Sequence, residues 1–363
     1  MRSEKRPSAV TMADVAERAG VSRALVSIVF RDVPGASAVT RKRVMRAAEE
    51  LAYRPDQRAR LLGSNRSRTV GVIFGLHHEF HAEVVEGLYG AVEGIGYDLA
   101  LGPVAPIRDE RRAVQSLLDF RCEALILIGT TFSRSVLEEL AERVPVVVVA
   151  RALRSRTVDV VRSDDVAGAR LAVEHLVGLG HEQITHVHGQ RAPGAAERRR
   201  GYSNAMHAAG LDSHVHLVPG GLTEENGERA AALLLGGAAP TAVTAFNDHC
   251  AAGLMATARA RGATVPGSLS VVGYDNSHIA NLSSVALTTI AQNAPKLATS
   301  ALDLALAHIE RGSDKASEVV VPPRLVVTST SAARAERSAP GSTAGKTPRK
   351  RAHRRDAGDR GQG

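Results

Sequence analysis

The chain has 363 residues, of which 44% are apolar and only 3% aromatic, with no Trp, two Cys and a formal net charge of +8. Length alone suggests two or three domains of roughly 150 residues each, and the shortage of aromatics leaves the core to aliphatic side chains. No apolar run approaches the ~20 residues of a membrane span, MRSEKRPSAV lacks the apolar stretch of a secretory signal, and Cys122 and Cys250 fit no metal or redox spacing. The expectation is a cytoplasmic protein with two buried, reduced thiols, no membrane partner and no cofactor.

The charge is unevenly placed. Residues 1–66 carry 14 Lys/Arg against 7 Asp/Glu, residues 332–363 carry 9 against 3, and residues 67–331 carry 23 against 28. Two basic ends flank a mildly acidic middle, so a polyanion would meet the ends. A merely solubilising basic surface fits the same numbers.

Residues 11–53 read as short helices. Met12, Val15, Ala16 and Ala19 recur at helical spacing, and Gly20 stops that helix. Ser22 is a good N-cap for a second helix in which Leu25, Val26 and Val29 share a face. After a Pro34-Gly35 turn, Thr40 can cap a third helix with the stripe Val44, Ala47, Ala48 and Leu51. Helix, tight turn and helix make a helix-turn-helix, with three-helix packing without DNA as the alternative. The second helix carries Ser22, Arg23, Ala24, Ser27 and Ile28 near its exposed N-terminal part, where a recognition helix meets base edges. Arg23 can bond guanine O6 and N7, and Ala24 can touch a thymine methyl. Thr11, Ser22, Ser27 and Thr40 can donate to phosphates, with Arg41, Lys42 and Arg46 adding charge.

From Thr69 the pattern becomes strand-then-helix. Strands are expected at Thr69–Phe74, Tyr97–Leu101, Ala124–Ile128, Pro145–Ala150, Thr185–His188, Thr241–Ala245 and Ser270–Gly273. Helices are expected at Glu83–Gly94, Ala167–Leu179 and His249–Arg261. Near-continuous apolar strands alternating with helices imply parallel sheets covered on both faces. So many strands over about 260 residues suggest two doubly wound lobes with a ligand cleft between them. Beyond Ser331 no apolar residue larger than Ala occurs except prolines, so a disordered tail is expected. It has no leucine heptad to build a coiled coil.

Rival chemistries are weak. His77, His78 and His81 form HHxxH, which on a helix could hold zinc. Here the segment reads as a loop after the first strand, and nothing completes the site. The pairs His186/His188 and His214/His216 lack a third ligand. No phosphate-cradling GxxxxGK[ST] and no GxSxG elbow occurs, so neither a metal site nor an enzyme is expected.

TMADVAERAGVSRALVSIVF followed by TRKRVMRAAEELAYRPDQRARLL resembles the head of the lactose-repressor (LacI/GalR) family. The likeness continues through HAEVVEGL, LAVEHLVGLGHEQI, RRRGY, FNDHCAAG, VPGSLSVVGYDN, LTTIAQ and PPRLVV to about residue 331. It implies a small all-α helix-turn-helix head (1–55), a hinge (56–68), a two-lobe α/β domain like that of periplasmic binding proteins (69–331), and the basic tail (332–363). It also implies a homodimer on double-stranded, near-palindromic operator DNA, controlled by a small-molecule effector, most commonly a sugar. Arg23 and Ala24 take the base-reading positions. In the hinge, Leu62 falls at the leucine that wedges into a base step, Ala59 at the small position where paired helices approach, and Arg58 and Arg60 near phosphates. So short a hinge helix is unstable alone in water. The chain departs from the family at Leu25, usually Thr, and at Ile28, commonly Arg or His.

The resemblance also selects an effector set among polar residues that follow strands: Phe80, His81, Arg151, Arg198, Asn247, Asp275 and the lobe-crossing Gln292. Arg198 donates in a fork, Asp275 accepts, and Asn247 does both, which suits a polyhydroxylated or heteroaromatic ligand. Arg198 and Asp275 would satisfy one another through that ligand. Asp248 reads better as a cap of the following helix. Leu222 stands where several members place a stacking aromatic, for which Phe80 or Phe246 can substitute. A non-specific basic DNA binder is one alternative. An unexported solute-binding protein is another, although such a protein would carry a secretion signal and no head.

Overall fold

The computed structural model describes residues 10–30, 33–53, 66–237, 239–312 and 315–334. The head holds α1 (Met12–Ala19), α2 (Arg23–Phe30) and α3 (Ala38–Glu50). Thr11 and Asp14 close α1 with a reciprocal capping box, and Gly20 ends it in the left-handed region at φ 62°. At eight residues each, α1 and α2 fall below the ~12–15 that hold alone in water. What holds them is a small shared core of Val15, Ala16, Ala19, Val26, Val29, Val44, Ala47 and Ala48. Thr40 is not the cap of α3. Ser37, in extended backbone, takes that place by accepting from the Thr40 amide at 3.2 Å, so the helix starts earlier than expected.

The remainder forms two six-stranded sheets. The N lobe uses β1 (Thr69–Gly75), β2 (Asp98–Val104), β3 (Ala124–Ile128), β4 (Val146–Val149), β5 (Asp159–Ser163) and β11 (Glu318–Val321), in the order β11-β5-β4-β3-β1-β2. All its pairs are parallel. Helices α4 (Glu79–Val92), α5 (Glu110–Asp119) and α6 (Arg134–Ala141) connect the early strands. The C lobe uses β6 (Ile184–His188), β7 (His216–Pro219), β8 (Ala242–Ala245), β9 (Ser270–Asp275), β10 (Thr288–Ala291) and β12 (Arg324–Val326), in the order β12-β10-β9-β8-β6-β7. Only β12, antiparallel to β10, departs from parallel pairing. Helices α7 (Asp165–Gly178), α8 (Ala195–Ala208), α9 (Glu224–Leu234), α10 (Asp248–Ala260) and the short α11 (His278–Asn281) belong to this lobe. The chain changes lobe after β5, after β10 and after β11. After β10 it enters α12 (Ala294–Arg311), whose Leu297, Ala298, Ala301 and Ala305 join Val84 and Leu88 of α4 in the N-lobe core.

The seven expected strands are present within a few residues, and five more were not anticipated: β5, β7, β10, β11 and β12. β5 and β10 carry Asp, Arg, Ser and Thr, which broke the apolar signal. Asp159, Thr288 and Thr289 are buried but partnered: Asp159 Oδ1 accepts from Ser317 N at 2.7 Å, Thr288 N donates to Thr330 Oγ1 at 2.9 Å, and Thr289 Oγ1 donates to Asp248 at 2.6 Å. The N lobe begins before the expected boundary, since Arg66 and Arg68 both bond Glu123. At the other end, Ala332 accepts from His181 and Arg334 N donates to Leu179 O, so the C lobe extends beyond residue 331. Residues 335–363 lie outside the described residues. No helix among the described residues is long and apolar enough to cross a membrane. Both cysteines are buried, and burial pushes each thiol up to about 11.

Helices α9 and α10 touch through glycine. A Cβ on Gly253 would lie 1.9 Å from the Glu224 carbonyl oxygen, and one on Gly227 would lie 2.0 Å from that of Cys250. Gly253→Ala should therefore force the pair apart and lower stability by about 1–3 kcal/mol. Gly178→Ala, with nothing within 4 Å, should leave stability level or raise it by about 0.5–1 kcal/mol. Urea unfolding of the two variants checks the contrast.

Candidate functional site

In the head, Ser22, Arg23 and Ala24 are exposed, while Ser27 and Ile28 are half-buried. Ser22 Oγ accepts from Leu25 N at 3.2 Å, so it caps α2 as the sequence suggests. Ile28 lies against the turn: its methyl carbons stand 3.6 Å from the Cβ position of Gly35. Its place in the head is packing as much as exposure. Thr11 spends its hydroxyl proton on Asp14, at 2.8 Å. Arg41 reaches the Val33 carbonyl at 2.5 Å, and Arg46 pairs with Glu50 at 2.9 Å. Arg58, Ala59, Arg60 and Leu62 lie outside the described residues.

Between the lobes is a cavity of about 220 Å³. Phe80 and His81 line it from α4, Arg198, Leu222, Asn247 and Asp275 from the C lobe, and Gln292 from the second crossing. Seven of the eight expected effector residues thus meet. Arg151 does not line it. Its guanidinium is turned to the Thr130 and Phe132 carbonyls, at 3.0 and 2.5 Å, where it holds the loop after β3.

Arg198 is the most constrained of the set. Its Nε donates to Asp165 Oδ1 at 2.8 Å and one terminal nitrogen to the Phe246 carbonyl at 2.6 Å, while the other stands 3.7 Å from Asp275 Oδ1. The guanidinium also lies 3.5 Å from the Tyr274 ring centroid and 4.6 Å from that of Phe246. The expected pairing with Asp275 is direct, with no ligand needed. Burial alone would lower its pKa; Asp165, Tyr274 and Asp275 outweigh that and raise it. Burial pushes Asp275 up to about 6 against the pull of Arg198 and of Gln292, whose amide donates to it at 2.8 Å. Asp275 sits at φ 113°, a strained conformation for a residue with a side chain, at the β9 terminus facing the cavity.

Asp248 does not cap α10. Asn247 does, accepting from Cys250 N at 2.9 Å and donating to the Leu222 carbonyl at 3.0 Å. Asp248 is fully buried and takes bonds from Ser277 N, Ser277 Oγ and Thr289 Oγ1. Burial, then repulsion by Asp275, pushes it up to about 7. Burial brings His81 down to about 3, and its Nδ1 accepts from Gly75 N at 3.0 Å. The neutral ring therefore carries its proton on Nε2, as a donor. Helix α4 begins at Glu79, four residues earlier than expected, which puts His81 in its first turn. Among the described residues no group of three or more His, Cys, Asp or Glu is placed to hold a metal. His186 is a core residue, stacked on Tyr202 and bonded to Thr244.

Phe246 lines the cavity, but both Gly189 and Arg198 crowd its ring. Its ring lies under Gly189, where a Cβ would come within 2.6 Å of it, and Arg198 covers it as well. Phe80 and Phe246 are the phenylalanines that line the wall. Sequence reading missed Asp165, Tyr274, Glu79 and His249. The only available signal was the Asp164-Asp165 pair straight after a strand.

This geometry changes what a truncation would do. Arg198→Ala would leave Asp165 buried without its partner and should destabilise the C lobe by about 3–5 kcal/mol. Arg198→Lys should cost less, since it keeps the charge. Differential scanning calorimetry of the two variants checks the order.

The sequence matches the family model for bacterial regulatory proteins, lacI family, over residues 11–56, and that for the periplasmic binding protein-like domain over residues 173–331. The HTH-type transcriptional regulator DegA of Bacillus subtilis is 31% identical over 326 residues, covering 87% of this chain and 96% of that protein. The lac repressor dimer bound to operator and the anti-inducer ONPF is similar at a TM-score of 0.78 and 28% identity, over 90% of this chain and 100% of that one. The CelR–cellobiose complex is similar at a TM-score of 0.65 and 27% identity, with the same coverage.

Proposed function

The chain belongs to the lacI family of bacterial regulatory proteins and is a DNA-binding transcriptional regulator, and from that premise we propose that it is a repressor that binds a near-palindromic operator as a homodimer under control of a sugar in its cleft. The observation that carries this is the coexistence, in one chain, of a helix-turn-helix with exposed Arg23 and Ala24 and a cavity lined by Arg198, Asp275, Gln292 and Asn247. The charge of Arg198 is already balanced by Asp165 and Asp275, so the cavity suits a neutral ligand rich in hydroxyls. Lac repressor bound to operator and CelR bound to cellobiose are relatives in keeping with both halves.

In this reading the head spans 1–55 and the hinge follows it; the effector and dimerisation domain, expected at 69–331, takes in Arg66 at one end and Arg334 at the other, and the basic tail beyond adds DNA affinity. Tyr89 on α4 and Leu101 on the edge strand β2, 51% and 40% exposed, leave apolar N-lobe surface of the kind a partner subunit covers. Ligand binding shifts the balance between lobe arrangements, and with it the spacing at which two hinges pair on DNA. Arg58, Ala59 and Leu62 serve that pairing, with Leu62 as the wedge. The protein acts in the cytoplasm, where the operator is, and catalyses no reaction.

On an operator selected in vitro, Arg23→Ala should cost about 1–3 kcal/mol and relax specificity at one base pair per half-site. Leu62→Ala should weaken binding at least about tenfold, or about 1.4 kcal/mol, with unchanged unfolding. Gel-shift titrations measure both. Unchanged operator affinity in both variants would contradict the reading.

A further inference from the structure

The mouth of the cavity holds a contact that spans the lobes. His249, in the first turn of α10, places Nδ1 2.6 Å from Glu224 Oε1, at the start of α9 in the same lobe. Its Nε2 lies 3.1 Å from Glu79 Oε2, at the start of α4 in the opposite lobe. The other oxygen of Glu79 accepts from the His278 amide at 2.8 Å, so C-lobe donors hold both of its oxygens. A neutral imidazole has one N–H and one lone pair. With a carboxylate oxygen facing each ring nitrogen, only the imidazolium satisfies both contacts.

We propose that His249 is a proton-operated clamp on the cleft: its imidazolium joins Glu224 of its own lobe to Glu79 of the other, so closure takes up a proton and the cleft opens as the pH rises. This adds regulation to the effector cleft and rests on that reading for its biological consequence.

The surroundings support the sign. His249 is raised above its ordinary 6.5: burial alone would lower it, but Glu224 and then Glu79 outweigh burial. Opening removes Glu79 along with part of the burial and leaves Glu224 in place, so the sign rests on the geometry: only the closed cleft sets a carboxylate oxygen against each ring nitrogen, the arrangement the imidazolium alone satisfies. The clamp is therefore fully present below the open-state value and is lost as pH rises through the closed-state one, a window that reaches above 6.5. From the N lobe, His78 is the near histidine, and burial, then His77 and His249, lower its pKa, which disfavours a competing charge there. One turn along α4, burial and then Asp275 and Glu79 push Glu83 up to about 7, so closure takes up protons there as well. From the C lobe, Asp275 adds attraction, while Asp248 stays with its own lobe in both states. Arg191 lines the same cavity, and His278 contributes its amide.

The test is the lobe separation in the ligand-free, full-length protein, with Glu83→Gln removing the second titration. Spin labels on Glu93→Cys and Glu228→Cys, one on each lobe, report distance by pulsed dipolar EPR at about pH 6 and about pH 8.5, bracketing the range in which a raised histidine titrates. The closed population should fall severalfold between the two. His249→Asn and Glu79→Gln should be open at both pH values. His249→Arg, with a permanent charge, should be closed at both. Equal wild-type distances at the two pH values, or a wild-type pH response in His249→Asn, would overturn the proposal. No ligand is present, so that failure would leave the effector reading standing, whereas failure of the effector reading shows only in ligand titrations.

Discussion

A guanidinium removed from water needs compensation, and the C-lobe side of the cleft is arranged around supplying it to Arg198. Asp165 stands where the chain first enters the C lobe, and Asp275 ends β9. Gln292, which steadies Asp275, stands where the chain leaves for α12. One buried charge thus ties together two of the three lobe crossings. Because Asp165 and Asp275 pair with it before any ligand arrives, the cavity is preorganised, with the Arg198 charge already met. The strain at Asp275, the buried Asp248 behind it and the neutral His81 facing it all follow from packing polar groups into a closed space.

The same physics links the wall of the cleft to its mouth. Asn247 caps α10 and holds the Leu222 loop, and the glycine contacts between α9 and α10 bring Glu224 beside His249. Backbone spacing that no side chain could tolerate sets the distance between those two helices. That distance puts a carboxylate on one nitrogen of His249 and leaves the other for Glu79 across the cleft. Ligand selectivity and lobe closure therefore share a scaffold, and a regulator needs the two coupled.

The head and the alternation of strands and helices were legible in the sequence because each leaves a periodic or motif signal, and most of the cleft lining was legible through the family resemblance. Val15, Ala16 and Ala19 repeat at helical spacing, and β3 and β4 are runs of apolar residues. β5 and β10 were not legible, because their buried Asp159 and Thr288 are partnered by residues far along the chain, Ser317 and Thr330. Asp248 looked like a cap because it starts a helix. Only tertiary contacts with Ser277 and Thr289 show that Asn247 has that role. Arg151 had the right place at a strand end but turns to carbonyls of its own lobe. Glu79, Glu224 and His249 stand on three different helices, and nothing in their local sequence announces that they meet.

The central claim is that the cleft and the head exchange free energy. Linkage makes that claim reciprocal: if a sugar changes operator affinity by some factor, the operator must change sugar affinity by the same factor. The direct measurement is a closed cycle on the full-length protein, with the sugar chosen by thermal-shift screening. Operator affinity is titrated with and without the sugar, and sugar affinity with and without the operator. The account predicts equal factors of about 5–150-fold, the usual range of allosteric coupling. A sugar that binds the cleft tightly yet leaves operator affinity unchanged would contradict it.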